Sequence, residues 1–345
     1  MSRRAPARVL GMGALAVLTV AFVSVWLGAA HLAAEKVLRI LLHAAGFAGT
    51  DGSLAWERTI VLDVRLPRVV TGAFVGAALA VSGAALQALF RNPLADPGVI
   101  GVSSGASLGA VLAMQLGLSA MERFAVPAFA IVGAAGTALA VYGIASRRGT
   151  LPVGTLLLAG VAVGSLASAL TSLLLSLSLD EYEQGRQTVR WLMGGLEART
   201  WSEVAIVAPT TLIGAALVVA SSRELDALLL GEREALALGV DVPVVRRRLV
   251  FATAVVVGGA VAVSGVIGFV GLVVPHLLRL LVGPSHRLLL PACLLFGAAF
   301  VVATDLLCRT VAAPEEIRLG VMTGSLGAPF FLFLLLSRRK EIALE

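Results

Sequence analysis

Residues Arg65 to Ala110 read RLPRVVTGAFVGAALAVSGAALQALFRNPLADPGVIGVSSGASLGA. Two arginines, Arg65 and Arg68, open the stretch. From Val69 to Phe90 run 22 residues without a charged side chain, and about 20 apolar residues are enough for a helix to span a bilayer. The polar knot RNPLADPG follows, with prolines at 93 and 97, and a second apolar run opens with closely spaced glycines and serines. The stretch predicts a transmembrane hairpin.

The rest of the chain has the same character. Of its 345 residues, 58% are hydrophobic and 14% charged, against roughly 25% charged in a soluble domain. A spanning backbone must satisfy its own hydrogen bonds, which leaves helices or a closed barrel. The uncharged runs are 17 to 31 residues long and do not alternate, which excludes a barrel. The expected fold is an all-α polytopic membrane protein, with residues 1–345 as one transmembrane domain. The net charge of +6 fits basic residues on cytoplasmic loops and gives no reason to expect nucleic acid.

Uncharged runs begin at Val9, Val69, Pro97, Phe124, Gly149, Val204, Leu249, Leu288 and Leu319. The first, Val9 to Ala34, is longer than the roughly 7–15 residues of a signal-peptide core, and is read as an uncleaved first helix. Arg3, Arg4 and Arg8 precede it, and Arg338, Arg339 and Lys340 follow the last run. Two cytoplasmic termini require an even number of crossings. The run from Leu249, extended past Arg279 to Val282, is interrupted by SGVIGFVG and takes two, giving ten transmembrane helices. This topology puts 16 of 27 Lys and Arg inside, against 8 of 21 Asp and Glu, the expected bias.

GAALAVSG at Gly76–Gly83 recurs as GGAVAVSG at Gly258–Gly265, and Pro93 and Pro275 stand at the same offset. Five helices per half would make the copies inverted, as in many transporters. Small residues such as Gly72 and Gly76 predict close helix packing. The longest polar segment, 223–248, contains GEREALALG. It reads equally as a surface-lying helix or a docking site for a cytoplasmic partner.

Chemistry is sparse. The two lysines, Lys36 and Lys340, lie outside any glycine-rich loop, so the chain has no P-loop. No catalytic residue, no metal site and no bound cofactor is expected. ATP and magnesium would belong to another subunit. Cys293 and Cys308 read as structural thiols, and His31, His43, His276 and His286 as packing or interfacial residues. Asp305, four residues before Arg309, predicts a local helical ion pair. Without an intramembrane carboxylate cluster, an ion-coupled secondary transporter is the weaker alternative, and a mostly apolar passage for a large substrate is expected.

The opening stretch resembles the FecCD-type permeases of bacterial ABC importers for vitamin B12, haem and ferric siderophores. TLLLAGVAVG (155–164), WLMGGL (191–196), GEREALALGV (231–240), GVIGFVGLVVPHLLRLLVGPSHR (265–287) and LGVMTGSLGAPFFLFLL agree, so the resemblance covers about 60–340. It implies an inner-membrane, multi-pass homodimer with both termini cytoplasmic, two cytoplasmic ATPase subunits and a periplasmic substrate-binding protein. The substrate implied is a large iron chelate, haem or a ferric siderophore, with cobalamin as alternative, moved by alternating access. Residue by residue, Asn92, Pro93 and Leu94 match one part of a cytoplasmic gate. Val153 and Gly154 match a second, ahead of the fifth span, without the hydroxyl the family often has there. Gly231, Glu232, Arg233, Glu234, Ala235, Leu236, Ala237, Leu238, Gly239 and Val240 match the coupling segment that meets the ATPase. Arg65, Arg68 and Arg309 match outer-face arginines that meet acidic groups of the binding protein.

Overall fold

A computed structural model describes residues 4–47, 52–118, 122, 124–146, 152–177 and 182–342. Arg3, one of the flanking basic residues, lies outside them. The described residues are helical, with no strand among them. Seven helices are long and apolar enough to cross a membrane, and two apolar helices, Val270–Val282 and Leu319–Leu332, are shorter.

The first apolar run is two elements. α1 (Arg4–Trp26) stops eight residues before the run does, because a turn at 27–33 leads into α2 (Ala34–Ala44). α2 is amphipathic: Val37 and Ile40 are buried, while Glu35 and Arg39 form an exposed ion pair one turn apart. α3 runs 35 residues from Ala55 to Leu89, starting well before the uncharged run at Val69. Its first turns are charged, yet Glu57 is buried against Lys36 at 2.5 Å. A π-helical turn over Ile60–Arg65 widens the helix there, and the Leu62 carbonyl accepts the Trp201 indole N–H at 3.1 Å.

The chain continues through a 3₁₀ turn (Pro97–Ile100) into α4 (Val102–Gln115), α5 (Ala125–Ala145) and α6 (Val153–Leu177). The short α7 (Tyr182–Leu192) precedes α8 (Trp201–Ala220). Two short polar helices follow, α9 (Ser222–Leu230) and α10 (Glu232–Ala237). α11 (Val242–Ser264) and α12 (Val270–Val282) flank the interruption at SGVIGFVG. α13 (His286–Thr310) and α14 (Leu319–Ile342) complete the bundle.

α3 and α11 carry the two copies of the repeated octapeptide, and they are the most buried spans, at 83% and 78% of their apolar windows. In lipid, helices associate through close backbone packing rather than hydrophobic exclusion. At the α3–α13 crossing a Cβ on Gly76 would lie 2.1 Å from the Gly297 carbonyl oxygen, and at α3–α12 one on Gly83 would lie 1.9 Å from that of Gly271. Only glycine permits either crossing. α1, by contrast, turns Met12, Leu15 and Leu18 outward, as a lipid-facing helix does.

Candidate functional site

α3 joins the two ends of the bundle that carry the candidate residues, one at Arg68 and one at Asn92. At the first, the Arg68 guanidinium reaches Asp305 of α13 (Nη2–Oδ1 2.8 Å, Nε–Oδ2 3.0 Å) and Glu316 (Nη2–Oε2 2.8 Å). Asp305 also meets Arg309 at 3.3 Å, the expected local pair. Arg65 is buried and donates to the carbonyls of Val25 (2.9 Å), Trp26 (2.7 Å) and Ala30 (2.6 Å). Arg309 donates to the Ser24 carbonyl (3.0 Å) and hydroxyl (2.6 Å) and to the Leu27 carbonyl (3.3 Å).

Arg65, Arg68 and Arg309, the arginines matched to a binding-protein contact, are thus all engaged within the chain. The last carbonyls of a helix have no intrahelical partner and carry its negative pole. Arg65 and Arg309 satisfy those of α1, and Arg68 satisfies two carboxylates. This end also carries charges the sequence reading passed over. Arg190 is exposed, and Arg318 pairs with Glu197 at 2.5 Å. Both arginines line two adjoining cavities, of about 290 and 380 Å³, together with Glu197 and Ala198. Burial pulls the Arg199 guanidinium, beside them, below its ordinary pKa, and Glu203 and Glu197 oppose that shift.

Deeper in, α4 and α6 enclose a cavity of about 280 Å³ lined by Ser103, Ser104, Ser107, Ser168, Thr171 and Ser172. It adjoins one of about 390 Å³ bounded by Gly98, Gly160 and Gly164, with Ser104 and Ser168 lining both. Ser107, Thr171 and Ser172 each donate to the carbonyl four residues back, at 2.9, 2.8 and 3.0 Å. Their protons are thereby committed and lone pairs remain for the cavity. These cavities carry hydroxyl groups on a lining that is otherwise mostly apolar, in keeping with the mostly apolar passage expected. Serines and threonines at helical spacing in two apolar runs were the signal that could have revealed them.

At the other end α3 stops sharply. Arg91 adopts φ +47° and the Asn92 N–H donates to the Gln87 carbonyl at 3.0 Å, a Schellman closure. The Asn92 side chain then accepts from the Leu94 N–H at 2.9 Å, and Pro93 prevents continuation. Leu94 is exposed. Asp96 caps the 3₁₀ turn, accepting from the Gly98 N–H at 2.9 Å, and burial pushes its carboxyl above the usual range. Gly101, at φ +76°, lies against Gly160 and Gly164 in the middle of α6, so this loop folds back along that helix. Val153 and Gly154 form the first turn of α6 rather than a segment ahead of it.

The 231–240 segment is a helix, α10, between two glycines of positive φ, Gly231 and Gly239. Ala235 is its buried anchor, and Leu236 and Leu238 are 54% and 65% exposed among Glu232, Arg233 and Glu234. Glu232 is tied to Arg246 at 2.8 Å and Glu224 of α9 to Arg248 at 2.9 Å. Asp226 of α9 accepts from the His286 backbone N–H (2.7 Å), the His286 ring (2.8 Å) and the Ser285 hydroxyl (3.2 Å). Among the described residues no three His, Cys, Asp or Glu side chains group as a metal site, and both cysteines are buried and free.

The model of the FecCD transport family matches residues 15–337. The chain belongs to the FecCD transport family. Among FecCD relatives, the cobalamin import system permease protein BtuC of Halobacterium salinarum is 48% identical over 81% of this chain and 74% of its own length. The hemin transport system permease protein HmuU of Yersinia pestis is 43% identical over 82% and 84%. A permease of Bacillus subtilis, YvrB, aligns over 98% of this chain at 41% identity. A solved structure, an inward-facing conformation of a metal-chelate type ABC transporter, superposes with a TM-score of 0.84, at 32% identity, over 96% of this chain and 99% of that one. This FecCD protein is thus a multi-pass membrane permease subunit of an ABC importer, and ATP hydrolysis resides in another subunit.

Proposed function

We propose that two copies of this chain form the pathway of an ATP-driven importer for a large metal chelate of the haem, corrinoid or ferric-siderophore kind, in the inner membrane. α10 carries the reading. It projects an apolar pair, Leu236 and Leu238, ringed by charge, on a helix too short and polar to span, which is how a docking element for a soluble subunit looks. That subunit is an ATPase holding ATP and magnesium, while this chain binds no cofactor. Ten crossings follow from the seven long helices with α4, α12 and α14, arranged as two inverted halves around α3 and α11, with both termini cytoplasmic.

The Arg68 end then faces the periplasm, where Arg65, Arg68 and Arg309, joined by the exposed Arg190, supply the positive potential that steers a binding protein. The chelate passes along the cavities between α4 and α6 toward a gate formed by Asn92, Pro93 and Leu94 with Val153 and Gly154. Hydroxyls that offer lone pairs hold such a cargo weakly, as transit requires. The test is uptake in proteoliposomes. The permease would be reconstituted with its ATPase and binding protein and offered haem, cyanocobalamin and a ferric siderophore, with and without ATP. ATP-dependent uptake that needs the ATPase is expected. Uptake by the permease alone, driven by an ion gradient, would make it a secondary transporter instead.

A further inference from the structure

Asp226 holds α13 where its own sequence provides no hold. Ser285 is the N-cap residue of α13, and its side chain makes no capping bond. The first backbone N–H groups of a helix have no intrahelical acceptor. Asp226, on a different helix, supplies one: Oδ1 accepts the His286 N–H at 2.7 Å and the ring at 2.8 Å, and Oδ2 accepts the Ser285 hydroxyl at 3.2 Å. The His286 side chain is fully buried. This is a helix cap donated by the neighbour that directly precedes the docking helix α10.

α13 is in turn bound to α3 along its length. The backbones touch at Gly76 and Gly297. Beyond that point Arg68 grips Asp305 through two nitrogens. From His286 to Asp305 is about 28 Å of helix at 1.5 Å per residue. A displacement of α9 can therefore reach the opposite end of the bundle through the Asp226 carboxylate, α13 and α3. α9 also packs on α13 and α3, burying Leu225, Ala227 and Leu228, but such apolar contacts can slide, and the segment's other ion pairs lead elsewhere: Glu224 and Glu232 bind Arg248 and Arg246 of α11, and the Glu232 side chain is 50% exposed. Exposed ion pairs hold weakly.

We propose that Asp226 is the positioning residue through which movement of the coupling segment drives α13 and α3 as one lever. The proposal rests on the reading of α10 as the ATPase docking helix. Nucleotide binding by the ATPase moves α9 with α10. The cap makes the N-terminus of α13 follow, and the Gly76–Gly297 contact and the Arg68–Asp305 pair carry the movement to the far end of the pathway. Without the carboxylate α10 still docks, but α13 slips.

The experiment uses the full complex of permease, ATPase and binding protein, with a spin label on Cys placed at Val311, an exposed residue just past α13. The distance between labels on the two copies is measured by pulsed EPR without nucleotide and after trapping with ATP and vanadate. Wild type is expected to shift on trapping. Asp226→Ala is expected to lose the shift while the ATPase still co-purifies. Asp226→Asn, which keeps an acceptor for the His286 N–H, is expected to retain it and guards against a folding defect in the alanine variant. A wild-type-sized shift in Asp226→Ala, or none in wild type, overturns the lever. Failure of the ATPase to co-purify with wild type defeats the docking reading instead.

Discussion

Arg68 and Asp305 lie 237 positions apart in the chain, yet the Arg68 guanidinium makes three hydrogen bonds to the Asp305 carboxylate. Both are largely buried, with 13% and 3% of their side chains exposed. Removing one partner of a buried pair leaves an uncompensated charge, at a cost of about 3–5 kcal/mol. Arg68→Ala also strands Glu316. It is expected to lower thermal stability in detergent sharply, read by tryptophan fluorescence, whereas Asp305→Asn costs less because two carboxylate-strength contacts to Glu316 persist. Equal stability of Arg68→Ala and wild type would remove this pair as a structural clamp.

The α3–α13 crossing has no room for a methyl group. A Cβ at residue 297 would sit 2.4 Å from the Gly76 carbonyl oxygen, and overpacking of this kind costs about 1–3 kcal/mol. Gly297→Ala is expected to lower both folded yield and melting temperature. Gly11→Ala, where no atom stands within 4 Å, serves as the control and is expected to be neutral or stabilising by up to about 1 kcal/mol.

Asp96 gives a pH signature. Burial raises its carboxyl above the ordinary value, so the folded protein binds this proton more tightly than the unfolded chain does. Its contribution to stability is greatest below the ordinary carboxylate pKa, declines as pH rises through the raised value, and stays reduced above it. Asp96→Asn removes the partly desolvated charge and keeps a good cap. The variant is expected to melt higher than wild type at pH 7, by up to roughly 1 kcal/mol, with the difference shrinking on acidification. A melting series from pH 4 to 8 reads it, and a difference that grows on acidification would refute it.

α10 offers the sharpest functional substitution. Leu238 is 65% exposed, so Leu238→Asp leaves the bundle intact. Buried at an interface, an unpaired carboxylate is costly, and the ATPase is expected to be lost from pull-downs while the stability, read by melting, stays within about 0.5 kcal/mol of wild type. Undiminished co-purification would place the ATPase elsewhere.

The apolar runs were enough to read an all-helical membrane protein and the rough place of its long helices, because a spanning backbone must satisfy its own hydrogen bonds and non-alternating runs leave only helices to do so. The break between α11 and α12 was legible in SGVIGFVG. Helix ends were less so. α3 begins at Ala55, before the uncharged run, since Glu57 and Arg65 find buried partners that no run length reveals. At the candidate site, the turn after α3 was legible from its asparagine and prolines. The hydroxyl-bearing cavity was legible only as two separate serine stripes, because the serines on α4 and α6 converge only once those helices pack.

The sequence by itself determined a helical membrane protein, its family, and the place of the polar segment at 223–248. These depend on local composition and on contiguous motifs. Only the tertiary structure decided what the buried charges do. Arg65 and Arg309 look like surface cations in the sequence, but they close the carbonyl end of α1, and Asp226 caps a helix 60 residues away. A buried charge takes whichever partner packing brings within about 3 Å, and packing across the bundle is not written in neighbouring residues.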